Sequence, residues 1–222
     1  MGIKSWTEFY SHKITLKEFL GNFYSHEFFS EMAKRNPKKI LEVGSGSGVM
    51  GILLSHLGYK VVSIDSDKGV IEIAKKNNKK FNGSAEFKVG DGFNLEFKDN
   101  SFDISFSQGL YEHFSNKEIK KITDEQLRVC KDMIFVSVPN KNYGTKDVGN
   151  ERLMSSKDWF RLIKRLYPKN KIRVIEYQYF LRKNKPIKTI INLLLNKKVQ
   201  TLIMIKKWKL IISHQENFQP KG

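Results

Sequence analysis

The chain has 222 residues, enough for one α/β domain with a sizeable core. Forty Lys and Arg against 23 Asp and Glu give a net charge of +17, and the single cysteine, Cys130, excludes an intrachain disulfide. No apolar run reaches the ~20 residues needed to span a bilayer and the N-terminus has no apolar signal core, so a cytoplasmic protein is expected.

The first 36 residues are rich in aromatics, including Trp6, Phe9, Tyr10, Phe19, Phe23, Tyr24, Phe28 and Phe29. Leu20, Phe23, Tyr24 and Phe28 recur at helical spacing, which predicts one or two helices ending before Pro37. Such helices either pack on a sheet edge or form a lid, from which Tyr10 and His12 would reach inward.

From Lys39 onward, strands and helices alternate. Strands are predicted at 39–44, 60–65, 85–89, 102–107 and 132–138, and helices at 48–57, 68–81 and 117–129. Alternation at these lengths means βαβ units and a parallel sheet, with ligands at the carboxyl ends of the strands. Gly44, Asp65, Asp91 and Gln108 all fall at such ends. Cys130, just before the fifth strand, reads as a small buried residue.

The last third carries nearly all the excess charge. Residues 141–222 hold 20 Lys and Arg against 5 Asp and Glu, whereas residues 40–140 hold 13 against 14. Either this surface meets something anionic, or lysine-rich codon usage has coloured it. A long polar loop follows the fifth strand. Ser155 then caps a predicted helix over 156–167, followed by strands at 172–180 and 199–205. Between those strands Ile187, Ile190, Ile191, Leu194 and Leu195 form an apolar helix face. The segment 182–212 is either a membrane-surface element or a core-facing helix with snorkelling lysines.

The chemistry is concentrated at Glu42-Val43-Gly44-Ser45-Gly46-Ser47-Gly48. Glycines at alternate positions let the backbone turn sharply and let a ligand lie against it. The helix that follows points free N–H groups at the same place. A dinucleotide fingerprint also fits Gly46, Gly48 and Gly51, but there the first glycine closes the first strand, a position held here by Gly44. Asp65, at the tip of the second strand, offers a carboxylate to a ribose diol.

Segment 42–48, E-x-G-x-G-x-G, resembles the glycine-rich motif of class I S-adenosylmethionine (SAM)-dependent methyltransferases. Gly90-Asp91-Gly92-Phe93 resembles that family's third-strand end, whose acid accepts from the adenine amine. Phe97-Lys98-Asp99-Asn100-Ser101-Phe102-Asp103 is similar to its approach to strand four, and Leu110-Tyr111-Glu112-His113-Phe114 to the "LEHF" segment of its small-molecule branch. The resemblance covers about residues 38–140. It implies a doubly wound, seven-stranded, mostly parallel sheet whose seventh strand enters antiparallel between the fifth and sixth. It implies one domain, with a helical lid (1–38), a SAM-binding core (39–140) and a basic substrate-side part (141–222). SAM contacts would come from Glu42, Gly44, Ser45, Gly46, Gly48, Asp65, Ser66, Asp91, Gly92, Phe93, Gln108 and Gly109, leaving S-adenosylhomocysteine as product.

The implied reaction moves a methyl group to an oxygen or nitrogen of a small-molecule acceptor. A base must take the acceptor's proton, and His113 is the first candidate, with Glu112 and Tyr143 behind it. Glu151 and Arg152 are placed by loop position only. An anionic acceptor would use Arg152 or Lys141. No Cys/His spacing suggests a metal. The alternatives are an RNA methyltransferase using the basic C-terminal third and a dinucleotide-dependent oxidoreductase.

Overall fold

The computed structural model describes residues 5–16, 18–19, 25–144, 146, 148–178 and 197–208. Helices α1 (Trp6–Tyr10) and α2 (His26–Ala33) lie ahead of the sheet, and residues 16, 18 and 19 between them are also helical. The core then alternates: β1 (Lys39–Val43), α3 (Val49–His56), β2 (Lys60–Asp65), α4 (Lys68–Lys80), β3 (Glu86–Val89) and β4 (Phe102–Gln108). It continues with α5 (Asn116–Val129), β5 (Cys130–Pro139), α6 (Ser156–Leu166), β6 (Ile172–Tyr177) and β7 (Gln200–Lys206).

The seven strands form one sheet in the order β3-β2-β1-β4-β5-β7-β6. All neighbours pair parallel except β7, which runs antiparallel to both β5 and β6. The order reverses beside β1, between β2 and β4. In an open α/β sheet a crevice forms at that reversal, outside the carboxyl ends of the strands.

Alternation along the central strands builds a core on each face. Ile40, Phe106, Met133 and Phe135 join α2, α3 and α4 through Phe28, Met32, Ile52, Leu54 and Ile71. Leu41, Val43, Ile134 and Val136 join α5 and α6 through Ile119, Ile122, Trp159 and Ile163. Helix starts follow their capping residues. The Asp67 side chain accepts from Gly69 N and Val70 N at the head of α4, and Ser115 with Glu118 forms a capping box at the head of α5. Ser155 caps α6 as its position in the sequence predicts.

Two expectations change in detail. Cys130 is the first residue of β5 and is fully buried, so the strand starts two residues before the predicted 132. Strand β4 runs on to Gln108, which lies at its very tip. Leu20, Phe23 and Tyr24, the apolar helix face over 187–195, and residues 182–196 and 209–212 of the basic segment lie outside the described residues. Among the described residues no helix is long and apolar enough to cross a membrane.

Candidate functional site

The β1–α3 turn is held to the neighbouring strand. Gly44 N and Ser45 N both donate to the Ile64 carbonyl at 2.9 Å. Gly44, Gly46 and Gly48 all have positive φ, at 82°, 50° and 84°, which side-chain-bearing residues rarely adopt. The turn closes on Asp65, whose Oδ2 accepts from Gly46 N at 3.2 Å and whose Oδ1 accepts from Asp67 N at 3.1 Å. Burial pushes the Asp65 carboxyl above its ordinary range, and the backbone N–H groups of Asp67 and Gly46 oppose that shift.

Helix α1 lies across this turn. Its Thr7 hydroxyl donates to Asp67 Oδ1 at 2.8 Å, fastening the helix to the cap of α4. The Tyr10 ring sits over Gly46, where a Cβ would stand 2.8 Å from it. Trp6 stacks on Tyr10 with centroids 6.2 Å apart and meets the His113 ring edge-on at 5.2 Å.

Beneath α1 the crevice divides into two cavities. One, of about 290 Å³, is lined by Asp65, Ser66, Asp91, Gly92, Phe93 and Ile122 among others. The other, of about 310 Å³, takes Glu42, Ser45, Glu112, Tyr143, Glu151 and Gln200 into its wall. Trp6, Tyr10, Gly44, Gly46, Gln108, Gly109 and His113 line both, so the two form one crevice.

In the first cavity, Phe93 N donates to Asp91 Oδ1 at 2.8 Å, bending the chain so that the Phe93 ring packs edge-on to Phe114 at 5.0 Å. Gly92 is needed for packing as well, since a Cβ there would lie 2.9 Å from Val43 Cγ1. In the second cavity, Glu42 is 2% exposed and takes the Ser63 hydroxyl at 2.5 Å. Burial first, then the nearby Asp65 charge, push its carboxyl up to about 8, against the pull of the Ser63 and Gly51 hydrogen bonds. Ser45 Oγ is buried without a partner.

Glu112 and His113 belong to a 3₁₀ turn, Tyr111–His113, directly after β4. His113 Nδ1 lies 2.6 Å from Asn150 Oδ1. With that oxygen accepting, the ring proton sits on Nδ1 and Nε2 is left as a base. Glu112 is 2% exposed, its Oε2 has no partner, and burial with the Glu151 charge raises its carboxyl to about 8.

The residues singled out from the sequence therefore converge, except for Gly48, His12, Lys141 and Arg152. His12, expected to reach inward beside Tyr10, lines neither cavity; its Nδ1 lies 3.2 Å from the Phe9 carbonyl and its Nε2 3.6 Å from Glu18 Oε1. Gly48 lines neither cavity; a Cβ there would meet Ala74 Cβ and the Phe87 ring at 3.0 Å, so it sits beneath the turn. Lys141 and Arg152, expected to hold an anionic acceptor, line neither cavity. The Arg152 guanidinium lies 5.6 Å over the Trp159 ring and donates to Asn116 Oδ1 at 2.8 Å. Ser63 and Asn150 carry no motif of their own, and Gly51 and Trp6 are marked for other reasons, a dinucleotide fingerprint and an aromatic-rich segment. Only their neighbours across the fold reveal them as supports of Glu42, His113 and the roof. Among the described residues no cluster of His, Cys, Asp and Glu could hold a metal ion.

The crevice fits an adenosyl cofactor on its own geometry. Carboxylates stand at the ends of β2 and β3, a glycine turn leaves a cradle, and the buried Ser45 hydroxyl lacks a partner. A family described as "Methyltransferase domain" matches residues 40–133. The ubiquinone biosynthesis O-methyltransferase of Pelagibacter ubique is 28% identical over 134 residues, covering 57% of this chain and 55% of that one. The demethylmenaquinone methyltransferase of Thermotoga maritima is 35% identical over 98 residues (43% and 40%). The tRNA (uracil(54)-C(5))-methyltransferase of Pyrococcus horikoshii is 33% identical over 106 residues (48% and 25%). The chain thus spans between 25% and 55% of the length of these curated relatives. In fold it is similar to magnesium protoporphyrin IX methyltransferase of Synechocystis, solved with S-adenosylhomocysteine. The TM-score is 0.62 at 11% identity, covering 89% of this chain and 90% of that one.

Proposed function

We propose that this chain, a member of the class I SAM-dependent methyltransferases, transfers a methyl group from SAM to an oxygen or nitrogen of a small-molecule acceptor held under α1. The observation that carries this reading is the division of one crevice into two cavities with a shared wall. The Asp65–Asp91 cavity takes the adenosyl part of the cofactor, with Asp65 on the ribose diol and Asp91 toward the adenine. The glycine turn with Glu42 and Ser45 takes the methionine part. The rest of the second cavity, from Glu112 to Tyr143, is left for the acceptor.

Bound there, the cofactor supplies a methyl carbon already activated by a sulfonium. The protein's task is then to align the acceptor, exclude water and take one proton. His113 lines both cavities, and its Nε2 is free to accept that proton while Asn150 fixes the ring. Trp6 and Tyr10 roof the site and keep solvent from it.

A second reading, methylation of RNA, is favoured by the tRNA methyltransferase relative and by the basic balance of residues 141–222. A cofactor titration tests the first step. SAM and S-adenosylhomocysteine should each raise the melting temperature, and NAD should not. No shift with either adenosyl compound overturns the proposal.

A further inference from the structure

Resting on the methyl-transfer reading above, we infer that the acceptor is a cationic amine, whose ammonium group is held by the carboxyl pair Glu112 and Glu151. The second cavity has no Lys or Arg in its described wall, while Glu18, Glu42, Glu112 and Glu151 all contribute to it. A chain of net charge +17 that puts carboxyls around its inner chamber is set against an anion there.

Glu112 is the residue that points to a ligand. It is 98% buried, lines the chamber, and keeps one carboxyl oxygen without a hydrogen-bond partner. A buried oxygen in that state is destabilising unless a donor reaches it. Its neighbour is differently placed. The Glu151 oxygens accept from Val148 N at 2.6 Å and Gly149 N at 2.8 Å, which fixes that carboxyl in place. The two are brought together by Arg152 N, which donates to the Glu112 carbonyl at 3.0 Å. An ammonium set against the pair brings N–H donors to the unpartnered Glu112 oxygen.

The remaining wall suits the same guest. Trp6, Phe9, Tyr10 and Tyr143 contribute aromatic rings, and ring faces attract a desolvated cation. Arrival of the ammonium would drive the Glu112 proton out to solvent. The resulting carboxylate can later take one N–H proton, leaving a neutral amine with its lone pair free. His113 lines the same chamber as a second acceptor for that proton.

The test uses the S-adenosylhomocysteine-loaded protein and three molecules of nearly equal shape: benzylamine, benzyl alcohol and benzoate. Binding is followed by ligand-observed NMR, and the variants are Glu112→Gln and Glu151→Gln. Benzylamine should bind at least tenfold more tightly than the other two. Each variant should lose that preference while its affinity for S-adenosylhomocysteine stays within twofold of wild type. Equal binding of the three, binding of none, or an unchanged preference in both variants overturns the inference. So does a tenfold loss of S-adenosylhomocysteine affinity in Glu112→Gln, because the pair would then serve the cofactor's own ammonium. Failure of the wild type to bind S-adenosylhomocysteine at all is a different result, and it removes the methyl-transfer reading itself.

Discussion

Glu42 and Ser63 stand opposite one another in the β1–β2 register, and the Ser63 hydroxyl donates to the Glu42 carboxyl at 2.5 Å. Gly51 completes the arrangement from α3, where any Cβ would lie 3.1 Å from Glu42 Oε2. An acid is thus held inside the protein, by a strand neighbour and a helix backbone, with no cation paired to it among the described residues.

That burial sets a pH dependence. Glu42 and Glu112 both rise from an ordinary 4.5 to about 8. Between those values the folded chain keeps protons that the unfolded chain has released, so stability falls as pH climbs through the window. The neutral-carboxyl contribution is complete below 4.5 and gone above about 8. Asp103 and Asp67, both held below their ordinary range, act in the opposite direction but only at acid pH. Melting temperatures of the ligand-free protein at pH 5, 6.5 and 8 should therefore decline. Glu42→Gln should flatten the slope, and a wild-type profile that rises across this range contradicts the burial argument.

Asp65→Ala should weaken SAM binding by roughly 1–3 kcal/mol, since the diol loses its charged acceptor. Because Gly46 N and Asp67 N also lose theirs, the ligand-free protein should melt a few degrees lower. Calorimetry that finds unaltered SAM affinity removes Asp65 from the cofactor site.

At Gly46 the strain and the collision act together. The φ of +50° disfavours a side chain, and the Tyr10 ring occupies the space a Cβ would take. Gly46→Val should abolish SAM binding while circular dichroism stays native. Tyr10 fluorescence quenching should change with it as α1 is lifted. A variant that binds normally would mean the turn is not the cradle.

Thr7→Val severs the hydroxyl bond from α1 to Asp67, the cap of α4, while keeping the shape of the residue. The expected result is faster proteolysis within the first 20 residues and a several-fold higher KM for SAM, with the core's melting temperature within about 2 °C of wild type. An unchanged cleavage rate would show that α1 is fastened by its aromatic contacts alone.

The basic C-terminal part calls for a salt series with mixed tRNA. Scattered lysines neutralise phosphates without reading bases, so the association should be weak and vanish by physiological salt. Tight binding that persists there would favour an RNA acceptor over a small one.

Much of this was legible in the chain because its signals are local. Short apolar runs alternating with helical stretches marked β1 to β5, the glycine turn marked the end of β1, and the acids at strand ends marked the crevice. Pairing across strands was not legible. Nothing in the sequence announces Ser63 as the partner of Glu42, since the two meet only once β1 and β2 are in register. Asn150 reaches His113 from 37 positions away. Lys141 and Arg152 misled for the same reason: their charge was visible, whereas the ring of Trp159 that receives the Arg152 side chain was not. The surface is basic and the chamber acidic, a contrast that net charge averages away.

The wall common to the two cavities couples them. Trp6, Tyr10 and His113 border both spaces, and α1 is fastened across them as one roof. On the proposed assignment, cofactor and acceptor touch the same three side chains, so a substitution that lifts α1 should weaken both ligands together.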